Sequence, residues 1–250
     1  MKKYFLIIVF ILGLICIPSL SASSYGWGFK RNSEHRTPDA GPYLKEIEGT
    51  SSYYVGPTDE KVVFLTFDAG YDNGVLPKIL NVLDEKGVKS TFFVTGDFVK
   101  RESDLLLQIA FQGHLVGNHT WGHKDITKLN DQELESEIKK VEEAYYKLTM
   151  RPMVKLFRPP SGQFNRESLL KVQNLGYKTF FWSLAYKDWE TRNQKGEDFA
   201  YRSVMDNLHN GAIILLHTVS EDNCKALPSI IDGIREQGYT IKNLDYFLKN

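Results

Sequence analysis

From residue 61 onward, short runs of apolar residues alternate with longer segments in which apolar residues recur every three or four positions. The short runs are typical of strands buried on both faces, and the longer segments are typical of amphipathic helices. The pattern predicts seven strands, at residues 62–67, 90–94, 115–118, 155–157, 178–182, 212–216 and 239–241. The clearest predicted helices lie between them, at residues 76–86, 104–112, 131–148, 166–175, 199–208 and 226–237.

Strands that alternate with helices indicate repeated βα units around a parallel sheet. Such a sheet either closes into a barrel or stays open with helices on both faces. Polar residues favour the barrel, because a barrel mouth would bring together five residues at the ends of different strands: Asp68, His119, Arg158, Asp188 and His217. We therefore predict an α/β fold with one catalytic barrel domain at residues 61–250.

Two segments precede this predicted domain. Residues 1–3 include two lysines and are followed by an apolar run that reaches Ile17 and then by small residues, which is the layout of a secretory signal peptide. The run is shorter than the roughly 20 residues that span a bilayer. We therefore predict export through a signal peptide at residues 1–23, with membrane attachment only through an uncleaved signal. Residues 24–60 are rich in Gly, Pro, Ser and Tyr and are predicted to lie on the domain as an extended segment.

Composition narrows the class of protein. The chain has 250 residues, of which 42% are hydrophobic and 25% charged, as expected for one ordinary globular domain. Its 31 basic residues balance its 31 acidic residues, so no overall field attracts it to nucleic acid or to an anionic membrane. We expect a monomer that binds no nucleic acid.

The first predicted strand ends in the sequence Thr-Phe-Asp-Ala-Gly, in which the carboxylate belongs to Asp68. A carboxylate at the end of a buried strand, followed by small residues, can act as a base on a closely approaching substrate. It can equally cap the turn into the next helix. The pentapeptide alone leaves both interpretations open.

His119 and His123 are four residues apart at the end of the third predicted strand. Two imidazoles at this spacing can converge on one divalent metal ion. Six histidines in 250 residues give such a spacing by chance on the order of 0.14 times. The pair therefore indicates a metal site only together with its neighbours.

Arg158 follows the fourth predicted strand and precedes two prolines that would hold its backbone rigid. Its guanidinium could bind the Asp68 carboxylate and lower the pKa of that group, or it could bind substrate directly. A structural ion pair is the alternative for a lone arginine.

His217 ends a strongly apolar strand. A histidine there is either a core residue bonded to the backbone or a general acid oriented by a carboxylate, for which Asp188 is the nearest candidate. Trp189 is either a core residue or the apolar floor for an acetyl methyl group or a sugar face.

In their order and spacing these segments resemble the polysaccharide deacetylases, also called the NodB-homology family or carbohydrate esterase family four. The resemblance runs from about Lys61 to the C-terminus, about three quarters of the chain. Within the family, the Trp-Ser-Leu-Ala-Tyr-Lys-Asp-Trp segment that ends at Trp189 and a Gly-Trp-Gly-Phe-Lys segment that ends at Lys30 are most similar to delta-lactam-biosynthetic de-N-acetylases of spore-forming bacteria. Those enzymes remove acetyl groups from muramic acid in spore cortex peptidoglycan.

The resemblance implies a distorted (β/α) barrel of about seven strands and a role for each residue at its mouth. Asp68 matches the catalytic base, and Arg158 matches the residue that orients it. His119 and His123 match the ligands of a divalent metal, for which we expect Zn²⁺. His217 matches the general acid.

Two positions depart from the family pattern. Ala69 stands where the family has a second aspartate as third metal ligand, and Ala185 stands where many members have the aspartate that orients the catalytic histidine. We hypothesise that Asp72 or Asn73, in the same loop as Ala69, completes the metal site. Asp188 is then the expected partner of the catalytic histidine.

The resemblance also implies a reaction, which is removal of the acetyl group from muramic acid in peptidoglycan glycan strands, outside the cytoplasmic membrane, so that a muramic delta-lactam can form. We expect Trp189, Arg166 and Pro160 to bind substrate. Arg158, Arg166 and Lys187 are candidate partners for the lactyl carboxylate of muramic acid, although Ser161 stands where the muramic-specific subgroup is expected to have arginine. Two alternatives stay open: a deacetylase of N-acetylglucosamine in peptidoglycan or chitin-like chains, and a non-catalytic sugar-binding module.

Overall fold

The structure, a computed structural model, describes residues 23–31 and 34–249 of the chain. Apart from its last residue, the predicted signal peptide at residues 1–23 lies outside the described residues. Of the helices within these two ranges, none is both long enough and apolar enough to cross a lipid bilayer.

A curled sheet of parallel strands forms the centre of the fold, and a short antiparallel ribbon lies beside it. The strands are β1 (Tyr25–Gly26), β2 (Ser52–Tyr53), β3 (Val62–Ala69), β4 (Thr91–Val94), β5 (Leu115–Asn118), β6 (Leu156–Phe157), β7 (Gln163–Phe164), β8 (Lys178–Phe180), β9 (Leu184–Ala185), β10 (Ile213–His217) and β11 (Thr240–Lys242). In the described residues the main sheet has the order β2-β8-β6-β5-β4-β3-β10-β9, with β11 beside β3, and β1 and β7 form the ribbon.

One stretch of chain links the two ends of the curled sheet. Strand β8 pairs with β6, whereas β9, which follows it directly along the chain, pairs with β10. Between them Ser183 donates its N–H to the carbonyl of Ile213 at 3.1 Å. The predicted α/β barrel is therefore confirmed, in the form of a curled half-barrel, and each of the seven predicted strands is present at or near its predicted position.

Helices cover the outside of the sheet. They are α1 (Tyr43–Ile47), α2 (Leu76–Glu85), α3 (Gly96–Arg101), α4 (Ser103–Phe111), α5 (Asp131–Thr149), α6 (Arg166–Asn174), α7 (Glu197–Met205) and α8 (Glu221–Glu236). Helix α8 begins five residues before the predicted start at residue 226, because the hydroxyl of Ser220 accepts the N–H of Asn223 and caps the helix there.

The segment at residues 24–60 lies on the barrel but is not wholly extended. It contains α1, and its strand β2 joins the edge of the main sheet beside β8. Near its start, Trp27 stacks on Phe181 with ring centroids 4.3 Å apart. Aromatic packing therefore holds the segment against the barrel.

Strands β3 and β10 are adjacent and parallel, and they position the polar residues that end them. Every residue of β3 is buried, and β10 is buried as far as Leu216. Their register pairs His217 with Asp68. Because paired residues of parallel strands share one face of the sheet, the two side chains lie together at its carboxyl edge.

Candidate active site

A cavity of about 460 Å³ opens at the carboxyl ends of the strands. Three of the five polar residues expected at the barrel mouth line it, namely Asp68, His119 and His217. The other two, Arg158 and Asp188, are buried and bond to these side chains from within. The remaining lining residues are Gly70, Tyr71, Thr95, His123, Ser161, Gly162, Trp182, Trp189, Leu215 and Val219.

The guanidinium of Arg158 is fully buried, and three hydrogen bonds fix it in place. Nη1 donates to Oδ1 of Asp68 at 2.7 Å, Nη2 donates to Oγ1 of Thr66 at 2.9 Å, and Nε donates to the carbonyl of Phe180 at 3.1 Å. The guanidinium carbon lies 4.2 Å from the ring centroid of Phe93. Arg158 is therefore committed to Asp68 and is not available to bind substrate.

The charges around Asp68 keep it ionised. Burial raises the pKa of this carboxyl, but the guanidinium of Arg158 and the imidazoles of His119 and His217 outweigh burial, and the pKa falls below its usual value. Arg158 binds Oδ1, while Oδ2 lies 3.6 Å from Nε2 of His119. The carboxylate can therefore accept a proton in the cavity at neutral pH.

His217 is bonded twice to the buried carboxylate of Asp188. Nδ1 of His217 lies 2.6 Å from Oδ1 of Asp188, and the backbone N–H of His217 donates to Oδ2 at 2.8 Å. Asn223 also donates to Oδ2, at 2.5 Å, and Tyr186 donates its hydroxyl to Asn223. The structure thus brings His217 and Asp188 together, as the sequence suggested. It also places Asn223 and Tyr186 behind Asp188 in the same hydrogen-bonded chain.

The protonation of His217 follows from this bonding. Burial lowers the pKa of His217, but the hydrogen bond to Asp188 and the charges of Asp188 and Asp68 outweigh burial, and the pKa is raised. Nδ1 donates to Asp188, so the imidazolium has its other N–H, at Nε2, to donate to a different group. The ring lines the cavity, where a substrate would bind. His217 is therefore suited to act as a general acid.

The two histidines of the loop after β5 lie side by side at the cavity. The ring centroids of His119 and His123 are 4.9 Å apart. Nδ1 of His119 lies 2.7 Å from the carbonyl of Arg158, which can only accept, so Nδ1 carries the proton and Nε2 has a free lone pair. Burial lowers the pKa of His119 to about 4. Desolvation also lowers the pKa of His123, so both rings are neutral at pH 7.

This donor set fits a divalent cation with two protein ligands. Neutral imidazoles are the form that binds metal, and a second ring nitrogen bonded to a backbone carbonyl is the usual support for a metal-binding histidine. In residues 23–31 and 34–249, no three His, Cys, Asp or Glu side chains are grouped so as to hold a metal ion. His119 and His123 would hold the cation, and solvent or substrate would complete its coordination.

The hypothesised third ligands, Asp72 and Asn73, serve other purposes. The Asp72 carboxylate accepts the N–H groups of Gly74 at 2.9 Å and Leu76 at 3.0 Å, so it binds the backbone of the turn that leads into α2. Asn73 donates its amide to the carbonyl of Val219 at 3.0 Å. Neither side chain lines the cavity, so the described structure lends the hypothesis no support.

The predicted substrate-binding residues fall in different places. Trp189 is half exposed, lines the cavity, and has its ring centroid 5.3 Å from that of His217. Arg166 does not line the cavity, because its guanidinium donates to the carbonyls of Glu46 and Glu48 beside α1. Of these two residues, only Trp189 lines the cavity.

Pro160 and Lys187, the other two candidates for substrate binding, lie outside the cavity lining. Pro160 is buried and begins the short helical turn that carries the lining residues Ser161 and Gly162, without lining the cavity itself. Lys187 is paired with Glu190 at 2.5 Å.

Several residues that shape the site were not predicted from the sequence. Leu215 lines the cavity beside His217, and its position two residues earlier in β10 was a usable signal, since alternate residues of a strand share a face. Asn223 and Tyr186 carried no such signal. Tyr186 stands only two residues before Asp188 and Asn223 six residues after His217, but nothing in the pattern indicates that Tyr186 bonds to Asn223 and Asn223 to Asp188 in the folded chain.

The sequence of residues 55–180 matches the family model described as polysaccharide deacetylase. Because the match covers half of the chain, and because the relatives below align over most of it, the chain belongs to the polysaccharide deacetylase family. It is therefore a deacetylase, a class of hydrolase whose reaction needs a base and an acid of the kind placed at the cavity.

Particular relatives align along most of the chain. The chain is 45% identical over 220 residues to peptidoglycan-N-acetylmuramic acid deacetylase PdaA of Bacillus subtilis, covering 88% of this chain and 84% of that protein. It is 32% identical over 213 residues to a peptidoglycan-N-acetylglucosamine deacetylase of Bacillus cereus, covering 82% and 97%.

Solved structures agree with these alignments. The structure of Bacillus subtilis PdaA, a family 4 carbohydrate esterase, matches with a TM-score of 0.88 at 44% identity and covers 91% of this chain and 98% of that one. A family 4 carbohydrate esterase from Bacillus anthracis matches with a TM-score of 0.76 at 40% identity and covers 91% and 97%.

Proposed function

We propose that the chain hydrolyses the N-acetyl amide of muramic acid residues in peptidoglycan glycan strands. The observation that carries the proposal is the pairing of Asp68 with His217 at one cavity, with their pKa values displaced in opposite directions. An ionised base and a protonated acid can thus coexist at neutral pH. The muramic preference is supported by the 45% identity to PdaA, against 32% to the glucosamine deacetylase.

The base is Asp68. Its carboxylate takes a proton from a water molecule as the water oxygen bonds to the acetamide carbon. Arg158 holds Oδ1 in a fixed position through the 2.7 Å bond, so the carboxylate does not reorient during proton transfer. The positive charge of Arg158 also keeps Asp68 ionised in a site that is largely withdrawn from solvent.

The acid is His217. The C–N bond of the acetamide breaks as Nε2 of His217 gives its proton to the departing nitrogen, so the products are acetate and a free amine. Asp188 holds the ring through Nδ1 and stabilises the imidazolium. Trp189 and Leu215 line the same cavity and offer an apolar surface to the acetyl methyl group.

A divalent cation, in our proposal Zn²⁺, would be held by His119 and His123. When bound there, it would supply Lewis-acid polarisation of the acetamide carbonyl. The support for this part of the proposal is the neutral form of both rings and the bond from His119 Nδ1 to the Arg158 carbonyl. Chelation is then expected to lower activity, and added Zn²⁺ to restore it.

The product suggests the biological setting. Deacetylated muramic acid has an amine next to its lactyl carboxyl group, and these two groups can condense to the muramic delta-lactam of spore cortex. The N-terminal pattern of a charged start, an apolar run and small residues supports export to the cell wall or, in a sporulating cell, the space between two membranes.

One experiment separates this proposal from its alternatives. The mature protein is incubated with intact peptidoglycan and with muramidase digests, with and without chelator, and mass spectrometry identifies the sugar that loses acetyl. We expect loss from muramic acid and none with an Asp68→Ala control. Loss confined to glucosamine would favour the glucosamine deacetylase, and binding without any loss of acetyl would favour a non-catalytic module.

A further inference from the structure

The loop that holds the two histidines has a backbone conformation that L-residues rarely adopt. Thr120 has a φ of 63° and His123 a φ of 51°. Left-handed conformations at residues other than glycine are strained and persist only where surrounding contacts hold them. Something outside the loop must therefore stabilise it.

Glu137, on α5, binds two consecutive amides of this loop. Its backbone carbonyl accepts the N–H of Trp121 at 3.0 Å, and Oε2 of its carboxylate accepts the N–H of Gly122 at 2.6 Å. Nζ of Lys124 lies 2.9 Å from Oε1. Glu137 thus contacts the chain on both sides of His123.

Glu137 is buried, and its side chain is only 6% exposed. Burial of a carboxylate is costly unless it is paired and hydrogen-bonded. Its ion-pair partner Lys124 has a side chain that is 57% exposed, and solvent weakens such an ion pair. The 2.6 Å bond from the Gly122 N–H therefore also compensates the buried charge. A charged acceptor also makes a stronger bond to an amide N–H than a neutral acceptor does.

We infer that Glu137 is a positioning residue that holds His123 beside His119 at the cavity. The inference deepens the proposed function, because it rests on the metal site of that proposal. Without the side-chain bond from Gly122, the strained loop would relax and the two rings would separate from their present centroid distance of 4.9 Å. The cation would then lose one of its two protein ligands.

The test is the affinity for Zn²⁺, measured by competition with a chromophoric chelator. Glu137→Ala removes the side-chain acceptor and is expected to weaken Zn²⁺ binding about 10–100-fold, as loss of a supporting bond does at other metal sites. Glu137→Gln keeps an acceptor oxygen at the same reach, so Zn²⁺ binding should recover most of that loss. The matched control is Glu135→Ala on the same helix, whose carboxylate pairs with Lys139 instead of the loop; its Zn²⁺ affinity should equal that of the wild type.

Three results would overturn the inference. Wild-type Zn²⁺ affinity in Glu137→Ala would remove the positioning role and leave the proposed function intact, whereas a wild-type protein that binds no Zn²⁺ would overturn this inference and the proposed metal site together. Should Glu137→Ala not fold, Glu137→Asp takes its place, because it retains the charge and withdraws the carboxylate from Gly122. Unchanged Zn²⁺ affinity in Glu137→Asp would equally contradict the inference.

Discussion

Asp68 and His217 are register partners on adjacent parallel strands, and each is bonded to a buried residue of opposite charge. Arg158 provides the cation behind Asp68, and Asp188 provides the anion behind His217. Burial alone would raise the pKa of the carboxyl and lower that of the imidazole, but each counter-charge reverses the effect of burial. Two neighbouring positions in one sheet thereby obtain opposite roles in proton transfer.

The bond between Asp188 and His217 predicts a change in the pH profile. The raised pKa of His217 means that the protonated acid is present below that pKa and is lost as the pH rises through it. Asp188→Asn removes the negative charge, so the alkaline limb of kcat/KM should move to lower pH. Loss of an oriented general acid should also reduce kcat roughly 10²–10⁴-fold at neutral pH.

The control for this variant is Asp206→Asn, at the exposed end of α7. Its pH profile should match that of the wild type. An alkaline limb that stays in place in Asp188→Asn would show that His217 is not the titrating acid.

Arg158 links activity to stability. Arg158→Met leaves the buried Asp68 carboxylate without its cation, which should lower the free energy of unfolding by about 3–5 kcal/mol, as measured by urea denaturation at pH 7. The pKa of Asp68 is lower in the folded protein than in the unfolded chain, where it is about 3.9. The ionised carboxylate therefore stabilises the fold at pH values above the unfolded pKa, and this stability is lost as the pH falls through the folded pKa. In the variant that contribution disappears.

The same variant should move the acid limb of kcat/KM to higher pH, because burial of Asp68 remains while its cation is gone. Arg158→Lys retains the charge but not the three-bond geometry, so it should fall between the wild type and Arg158→Met in both measurements. Wild-type stability in Arg158→Met would contradict the assignment of Arg158 as the buried counter-ion.

Trp189 predicts a binding effect. It is 50% exposed at the cavity, so Trp189→Ala should leave the fold intact while removing an apolar face worth about 0.5–1.5 kcal/mol, or about 2–10-fold in kcat/KM. Steady-state kinetics on muramidase digests would measure this loss, and Trp189→Phe should recover part of it. Tyr146→Ala is the matched control, since Tyr146 is 49% exposed and does not line the cavity. Equal effects of the two alanine variants would argue against contact between Trp189 and substrate.

The part of the site that could be predicted from the sequence lies at strand ends. Apolar runs as strong as those before Asp68 and His217 define buried strands, and a polar residue that ends such a strand must emerge at the edge of the sheet. For that reason the barrel and the cavity-facing side chains followed from the pattern.

The supporting residues could not be predicted in this way. Glu137 belongs to an acidic, amphipathic helix, where a further glutamate is indistinguishable from a solvated one until the loop folds against it. Asp72 shows the opposite limit, because its place beside Ala69 suggested a metal ligand, whereas backbone amides at the start of α2 take up both of its oxygens. Hydrogen bonds from side chains to the backbone, whether local as for Asp72 or distant as for Glu137, leave no periodic signal in the sequence.

The most direct test of the account is acetate release from muramidase-digested peptidoglycan by Asp68→Asn, compared with the wild type under single-turnover conditions. The substitution is nearly isosteric and removes the proton acceptor. We predict that the rate falls at least about 10²-fold, the lower end of the contribution of a general base, while the far-UV circular dichroism spectrum is unchanged. Acetate release at the wild-type rate would contradict the assignment of Asp68 as the base.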